Sequence, residues 1–251
     1  AQAGATGSSS PITLTGLSNG TSYIVKVWAI NDYGNGPLSS ASGSVTPAAV
    51  RALTFGGNDG SSISNVVDYF AVSTTGNATD FGDLSAGRMR FGAVHGSTRA
   101  LVGGGATDTG GTKVNIIEYF TIASTGNATD FGDMAATIRG LTGSINNSTR
   151  GVWTGGYESS RVNRIQYVTV ASTGNTSDFG DLTEGKGWCS NASSSTKGFT
   201  IGGENNSAAV NVIETITTAS TGNSSDFGDS TIARSIHTSG SNSTRAITAG
   251  G

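Results

Sequence analysis

The acidic residues of this chain come in pairs at a fixed spacing. Asp80/Asp83, Asp130/Asp133, Asp178/Asp181 and Asp226/Asp229 each bracket a Phe-Gly, with Asn77, Asn127, Asn175 or Asn223 a few residues upstream. Carboxylate and amide oxygens so grouped are ligands that calcium takes. A plainer chemistry competes: Asn and Asp side chains satisfy local backbone N–H groups at turns and strand ends, while the phenylalanine packs. Occurrence in every repeat favours that reading, because a scaffold is needed everywhere and a site is not, so no cofactor or metal is expected. Paired carboxylates can also hydrolyse glycosidic bonds, but pairs this regular single out no working one. The two histidines, His95 and His237, fall in strands two or more repeats apart, too distant to share a metal. The single cysteine, Cys189, excludes a disulfide framework or a multi-cysteine zinc site and reads as a small buried residue. No catalytic set emerges, and an enzyme is not expected.

Binding is better sought where the repeat is broken. Trp153, Tyr157, Glu158 and Arg161 belong to one loop and its flank, Trp188 falls in the next strand, and Asn58, Asp59, Asp108, Glu204, Asn205 and Asn206 occupy equivalent loops. Such loops carry function while the scaffold holds them still, and an aromatic ring among Asn and Asp suits a sugar. For Trp153 the competing place is the core between repeats. A basic residue also recurs, at Arg51, Arg99, Arg150, Lys197 and Arg245. These five could ring an anion-binding face; the favoured reading pairs each with a carboxylate or carbonyls of the adjacent repeat. Asn-x-Ser/Thr triplets such as Asn77-Ala78-Thr79 and Asn146-Asn147-Ser148 sit mostly inside the repeat, where turn chemistry explains them without glycans.

The elements that must position these residues follow from the period. The Asp-Phe-Gly-Asp starts at 80, 130, 178 and 226 step by 50, 48 and 48 residues, the signature of a repeat architecture. Each unit runs from a basic residue through a short apolar strand to a glycine pair (Arg99 to Gly105), then a polar loop. A long strand follows (Val66–Ser73, Val114–Ser124, Val162–Ser172, Val210–Ser220), then Thr-Gly-Asn, the Asp-Phe-Gly-Asp strand, and a last strand such as Arg88–Val94 or Arg139–Ile145. The long strand is apolar on both faces: Val114, Ile116, Phe120 and Ile122 on one, Ile117, Tyr119 and Ala123 on the other. It is therefore covered from both sides. A net charge of −3 with 12% charged residues lacks the basic patch that nucleic acid requires, and no apolar run approaches the roughly 20 residues of a membrane span.

Residues 1–47 differ. Tyr23 to Asn31 alternates with period two, Gly34, Gly36 and Pro37 end it, and Ser39–Val45 can pair back. Leu17-x-x-Gly20-x-x-Tyr23, Val25-x-Val27-x-Ala29-x-Asn31 and Gly34-x-Gly36 resemble the C-terminal half of a fibronectin type III domain, in which the tyrosine would tuck its hydroxyl onto the backbone at a strand corner. Only three of seven strands are visible, so the natural polypeptide is expected to continue upstream of Ala1.

Over residues 48–251, the glycine doublet, the basic residue before it and the outer aromatic are similar to the kelch family of β-propellers, with four-stranded blades: about four, plus the start of a fifth. The Tyr-Trp pair common after that family's doublet is absent; Tyr69, Tyr119 and Tyr167 (Thr215 in the last copy) instead lie twelve residues before Phe81, Phe131, Phe179 and Phe227. Oxidases of that architecture need copper ligands including histidine and a modified tyrosine, and none is in reach here. Residues 51–84 supply the second, third and fourth strands of a first blade; residues 233–240 could supply its first, leaving Arg245–Gly251 without a vacancy, so either a fifth blade is half-built or, the favoured reading, more repeats follow Gly251. The Thr-Gly-Asn-Ala-Thr-Asp-Phe-Gly-Asp run further resembles repeats in structural proteins of tailed bacteriophages, especially those of marine cyanobacteria. That resemblance implies a non-enzymatic virion surface appendage or tail fibre, homo-oligomeric, among other virion proteins, attaching to a host-surface glycan or receptor. The alternative is a bacterial secreted or cell-surface adhesin or polysaccharide-binding protein built from the same modules.

Overall fold

The computed structural model of the chain describes residues 4–10, 12, 14–17, 21–45, 50–141, 145–242 and 244–251. Among these, every regular element is a β-strand, all sheet pairings are antiparallel, and no helix is long and apolar enough to cross a membrane. Two compact units result: Ala1–Ala52 with Ala71–Gly76, and Leu53–Phe70 with Asn77–Gly251.

In the first unit the expected pairing of Ser39–Val45 with the strand from Tyr23 is present. Tyr23 and Val45 exchange both backbone bonds at 2.8 Å, and the N–H groups of Ser42, Ser39 and Gly36 donate to Val25, Val27 and Ala29. The ladder is regular only at its tip, where β1 (Ile30–Asn31) pairs with β2 (Gly34–Asn35). Further down, the Ser42 and Ser39 hydroxyls accept from the N–H groups of Val25 and Val27, and side chains replace part of the ladder. Ile24, Val27, Trp28 and Ile30 remain exposed. The turn read at 18–20 and Pro47 lie outside the described residues.

The repeats fold as a series of small sheets, each an up-and-down meander in chain order. A three-stranded sheet comes first, of β3 (Arg51–Asn58), β4 (Ile63–Ala71) and β5 (Thr79–Asp83). Three four-stranded sheets follow. The second sheet holds β6 (Gly92–His95), β7 (Arg99–Gly103), β8 (Val114–Thr121) and β9 (Thr129–Ile138); the third holds β10 (Ile145–Asn146), β11 (Arg150–Thr154), β12 (Arg164–Thr169) and β13 (Ser177–Asp181). The fourth holds β14 (Ser190–Ser193), β15 (Lys197–Ile201), β16 (Val212–Thr217) and β17 (Ser225–Asp229), and a fifth stops at β18 (Thr238–Ser241) and β19 (Ala246–Ala249). The segment expected to close the first sheet does not: β18 pairs with β19 in register Thr238↔Ala249, and the first sheet keeps three strands.

A repeated joint fastens each sheet to the next. Between the last two strands of each of the first four sheets the register shifts by one residue, at Val67/Asp68, Ile117/Glu118, Ile165/Gln166 and Ile213/Glu214. The extra residue is the phenylalanine of Asp-Phe-Gly-Asp, and a bulge re-aims the side chain it carries. Phe81, Phe131 and Phe179 are thereby 2% exposed, each meeting Tyr69, Tyr119 or Tyr167 of its own sheet edge to face at about 6 Å. The following glycine receives the Thr-Gly-Asn turn of the next sheet. Gly126, Gly174 and Gly222 donate their N–H to Phe81, Phe131 and Phe179 at 2.7 Å. Asn127, Asn175 and Asn223 accept, through Oδ1, the N–H of Asp83, Asp133 and Asp181 at 3.0–3.1 Å. A Cβ on Gly132 would stand 2.4 Å from the Gly174 carbonyl oxygen, so only glycine lets the turn seat.

Between sheets the chain passes through one left-handed residue each time: Arg90 (φ 58°), Gly140 (74°), Trp188 (53°) and Ile236 (54°). These are tied in sequence, Gly140 N–H to Arg90 O (2.9 Å), Trp188 to Gly140 (2.8 Å) and Ile236 to Trp188 (3.1 Å). This turn delays the first strand of each sheet, which starts at Gly92 rather than Arg88 and, in the third sheet, at Ile145 rather than Arg139. The glycine doublets anchor the same connections: Gly57, Gly105, Gly156 and Gly203 donate to the carbonyls of Arg88, Ile138, Lys186 and Arg234 at 2.8–2.9 Å. Three apolar clusters fill the structure, around Phe81 and Phe120, around Phe131 and Trp153, and around Phe179 and Ile216. Coverage of the third strand from both sides, as its sequence requires, is visible at Ile117 (0% exposed) and Phe120 (1%).

Candidate binding site

Of the residues singled out in the sequence, Trp153 belongs to the core. It is 0% exposed and its indole N–H donates to Gly92 O at 3.0 Å, so it leaves the set of surface contacts. The remaining loop residues divide into two groups. Asn58, Asp59, Asp108 and Asn205 close their own loops: Asn58 Oδ1 accepts from Gly60 N–H (2.7 Å), and Asp59 Oδ1 from Ser62 and Ser61 (2.7 Å each). Asp108 Oδ1 accepts from Gly111 (2.6 Å) and Thr112 (2.8 Å), and Asn205 Oδ1 from Ser207 (2.9 Å) and Ala208 (3.0 Å). These bonds favour the ionised carboxylate: the N–H groups of Ser62 and Ser61 lower the pKa of Asp59, and the Thr112 hydroxyl and N–H lower that of Asp108.

The second group does come together. Tyr157 and Trp188 lie 6.0 Å apart between ring centroids. Arg161 sits over both, at 5.6 and 4.8 Å, while Arg139 (5.2 Å) and Lys113 (5.5 Å) also face the Tyr157 ring. Arg161 pairs with Glu204 at 2.5 Å and donates its backbone N–H to Asn206; Asn205 donates to Glu184, and Glu158 pairs with Arg164. The faces a sugar would stack on are thus taken by cations from neighbouring loops, and by Gly140, which backs Trp188. The cluster locks loops of successive sheets to one another.

The repeated charges are likewise structural. Arg99 Nη1 donates to Ala171 O (3.0 Å) and Arg150 Nη1 to Thr218 O (3.1 Å), both in the following sheet, each guanidinium lying over a tyrosine of its own sheet. Asp80 and Asp226 accept the N–H of Gly82 and Gly228. Among the described residues no three acidic, histidine or cysteine groups converge, the pairs Asp80/Asp83, Asp130/Asp133, Asp178/Asp181 and Asp226/Asp229 included. Burial pushes the Cys189 thiol up to about 12.

What sequence reading missed is a polar trough built by the first strands. β6, β10, β14 and β18 run side by side, and side chains rather than backbone ladders join them. Asn146 N–H donates to Ser193 Oγ (3.4 Å), Ser193 N–H to Ser241 Oγ (3.1 Å), and Ser241 Oγ to Ser193 O (2.8 Å). Ser190 and Ser239 share a hydroxyl contact of 2.5 Å, and Asn146 Nδ2 lies 3.1 Å from His95 Nε2. This looser spacing leaves a cavity of about 400 Å³ lined by His95, Asn146, Ser190, Asn191, Ser193 and Thr238–Ser241. A second hollow of about 440 Å³, bordered by Ser97, Asn147, Ser148, Ser194 and Asn242, also borders His95 and Asn146. Hydroxyls, amides and the His95 imidazole line the first, while the second exposes mostly apolar surface; no carboxylate, lysine or arginine lines either. The available signal was compositional: Ser190-Asn191-Ala192-Ser193 and Thr238-Ser239-Gly240-Ser241 are strands without a β-branched hydrocarbon, yet Ser190 is 1% exposed.

No protein-family model matches the chain, and no curated protein is significantly similar to it.

Proposed function

We propose that residues 48–251 form blades of a kelch-like β-propeller, preceded by part of a fibronectin type III sandwich. In this reading the whole is a non-enzymatic surface appendage of a virion, displayed on a tail fibre for attachment to host glycan. Four-stranded meanders, first strands side by side and a joint used three times support the propeller. The Tyr23–Val45 pairing, with Ser39 and Ser42 bonded back to the strand, supports the sandwich.

The observation that carries the attachment reading is the neutral, hydroxyl- and amide-lined trough. Its volume is in the range of small-ligand pockets. Its groups can donate to and accept from the hydroxyls of an uncharged sugar, and no lysine or arginine stands there to pair an anionic one. A single such contact is weak; repeated copies on an appendage multiply it.

A glycan array tests this. Wild-type protein should bind neutral glycans, Asn146→Ala and Ser241→Ala should weaken binding, and Arg161→Ala should leave it unchanged. Loss of binding in Arg161→Ala with retention in Asn146→Ala would move the site to the loop cluster. Immunogold labelling of particles against that of bacterial cell surfaces separates an appendage from an adhesin.

A further inference from the structure

Beside the glycine doublets the chain repeats a small backbone motif, and one copy of it departs from the others. The residue after Arg88, Ile138 or Lys186 pairs with the residue after the doublet, which pairs in turn with the far end of its own loop. The three trios are Met89–Ala106–Lys113, Arg139–Tyr157–Arg161 and Gly187–Glu204–Ala209. In each, the first two residues exchange backbone bonds of 2.7–3.1 Å. Methionine, alanine and glycine satisfy that backbone as well as arginine and tyrosine do. Only the middle trio sets two guanidinium groups around an aromatic ring. Lys113 of the preceding trio turns to the same ring, at 5.5 Å from its centroid against 5.2 Å for Arg139 and 5.6 Å for Arg161. What a scaffold needs recurs in every copy, and this convergence of cations occurs once among these three.

The carboxylates nearby answer only part of that charge. Arg161 pairs with Glu204, Glu158 pairs with Arg164, and Glu184 accepts from Asn205. Asp108, in the loop that leads to Lys113, spends Oδ1 on the N–H groups of Gly111 and Thr112 and Oδ2 on the Thr112 hydroxyl. Lys113 and Arg139 have no ion pair among the described residues. Both are half-buried, where a charge without a counter-ion is costly, and like charges gathered at one ring repel. Yet the fold makes room for Arg139. Its Nε is buried, and its Nη1 lies where a Cβ on Gly111 (φ 91°) would stand 1.7 Å away, so only glycine at that position leaves space for the guanidinium.

We infer that Lys113 and Arg139, beside Tyr157, form an oxyanion site that takes the carboxylate or sulfate group of an acidic saccharide. The planar guanidinium of Arg139 donates to the oxyanion in a fixed direction, and the Lys113 ammonium adds a point charge. This site is separate from the trough, which neither residue lines. That a saccharide bears the oxyanion rests on the attachment reading; the site itself does not.

Two titrations of the full chain test this, with circular dichroism confirming that each variant is folded. In the first, arginine Nε–H resonances are followed by NMR at constant ionic strength. Sodium sulfate should shift that of Arg139 saturably and sodium chloride should not, and Lys113→Met should weaken the effect about threefold. No saturable shift, an equal response to chloride, or a shift that Lys113→Met leaves unchanged overturns the site. In the second, calorimetry compares a polyuronate and a sulfated oligosaccharide, and the tighter of the two identifies the preferred group. Arg139→Gln should weaken the tighter one about tenfold, and Asn146→Ala should bind it as wild type does. Sulfate binding that depends on Lys113, with both oligosaccharides bound no more tightly than the inorganic ion, upholds the site and refutes the saccharide. Loss of the acidic probes in Asn146→Ala but not in Lys113→Met overturns the inference in favour of the trough. Lys113→Met decides the matter if Arg139→Gln fails to fold.

Discussion

Replacing Gly132 by alanine isolates the joint energetically, because Gly228 provides its control. Both glycines have left-handed backbone, φ 145° and 137°, so alanine imposes a similar strain at each, about 1–3 kcal/mol. Only at Gly132 does the added methyl collide, with the Gly174 carbonyl oxygen at 2.4 Å and carbon at 2.5 Å. Moving the turn away to relieve that clash breaks three bonds: Gly174 N–H to Phe131 O, Thr176 N–H to Asp133 O, and Asp133 N–H to Asn175 Oδ1. At about 0.5–1.5 kcal/mol each, they add roughly 1.5–4.5 kcal/mol, so Gly132→Ala should cost that much more than Gly228→Ala. Urea unfolding of dilute samples followed by circular dichroism measures both. Equal losses in the two variants would refute the joint as a source of stability.

Other consequences are as direct. Lys186→Met strands Glu214 in a fully buried site and should cost about 3–5 kcal/mol, while Lys186→Met with Glu214→Met should recover most of it; thermal melts decide. Burial raises the pKa of Glu214, but hydrogen bonds from Lys186, Ser224 and Thr183 outweigh it and hold the carboxyl below its ordinary value. Its contribution is therefore present above about pH 4.3 and lost as the pH falls through the lower folded value, and Glu214→Gln should flatten that acid limb of the stability profile. Cys189 should resist thiol reagents at pH 8 in the folded protein and react once urea unfolds it; labelling of the native protein would contradict its burial. Trp153→Ala should lower stability by about 3–5 kcal/mol, measured by denaturation, as a core residue rather than a ligand contact.

The period of Asp-Phe-Gly-Asp made the series of four-stranded units legible, because a strand apolar on both faces, such as Val114–Thr121, must be covered from both sides. The pairing of Arg99 and Arg150 with carbonyls of the following sheet was likewise readable from their recurrence. Strand limits were not: Arg90, Trp188 and Ile236 adopt left-handed backbone without being glycine, and nothing in a side chain announces that. Trp153 breaks the repeat and so stood among the binding candidates, but the core place weighed for it is the one it takes: it fills space left at Gly92 and Gly103, two sheet positions without a side chain. The trough depends on which hydroxyls four separate strands bring together, a property of the spacing between sheets rather than of any local pattern. The pairing of Arg88 with Glu118 could be noticed only once the register across the joint was in hand.

The stacking of the repeat sheets, and with it the polar trough, rests on the turn-in-socket joint between successive sheets. Amide hydrogen exchange at single-residue resolution in dilute solution tests it most directly. The N–H groups of Gly126, Gly174 and Gly222 should be strongly protected, each donating to a phenylalanine carbonyl, while that of Gly222's counterpart Gly76 should exchange quickly. Fast exchange at all four glycines would contradict the joint and the stacking of sheets built on it.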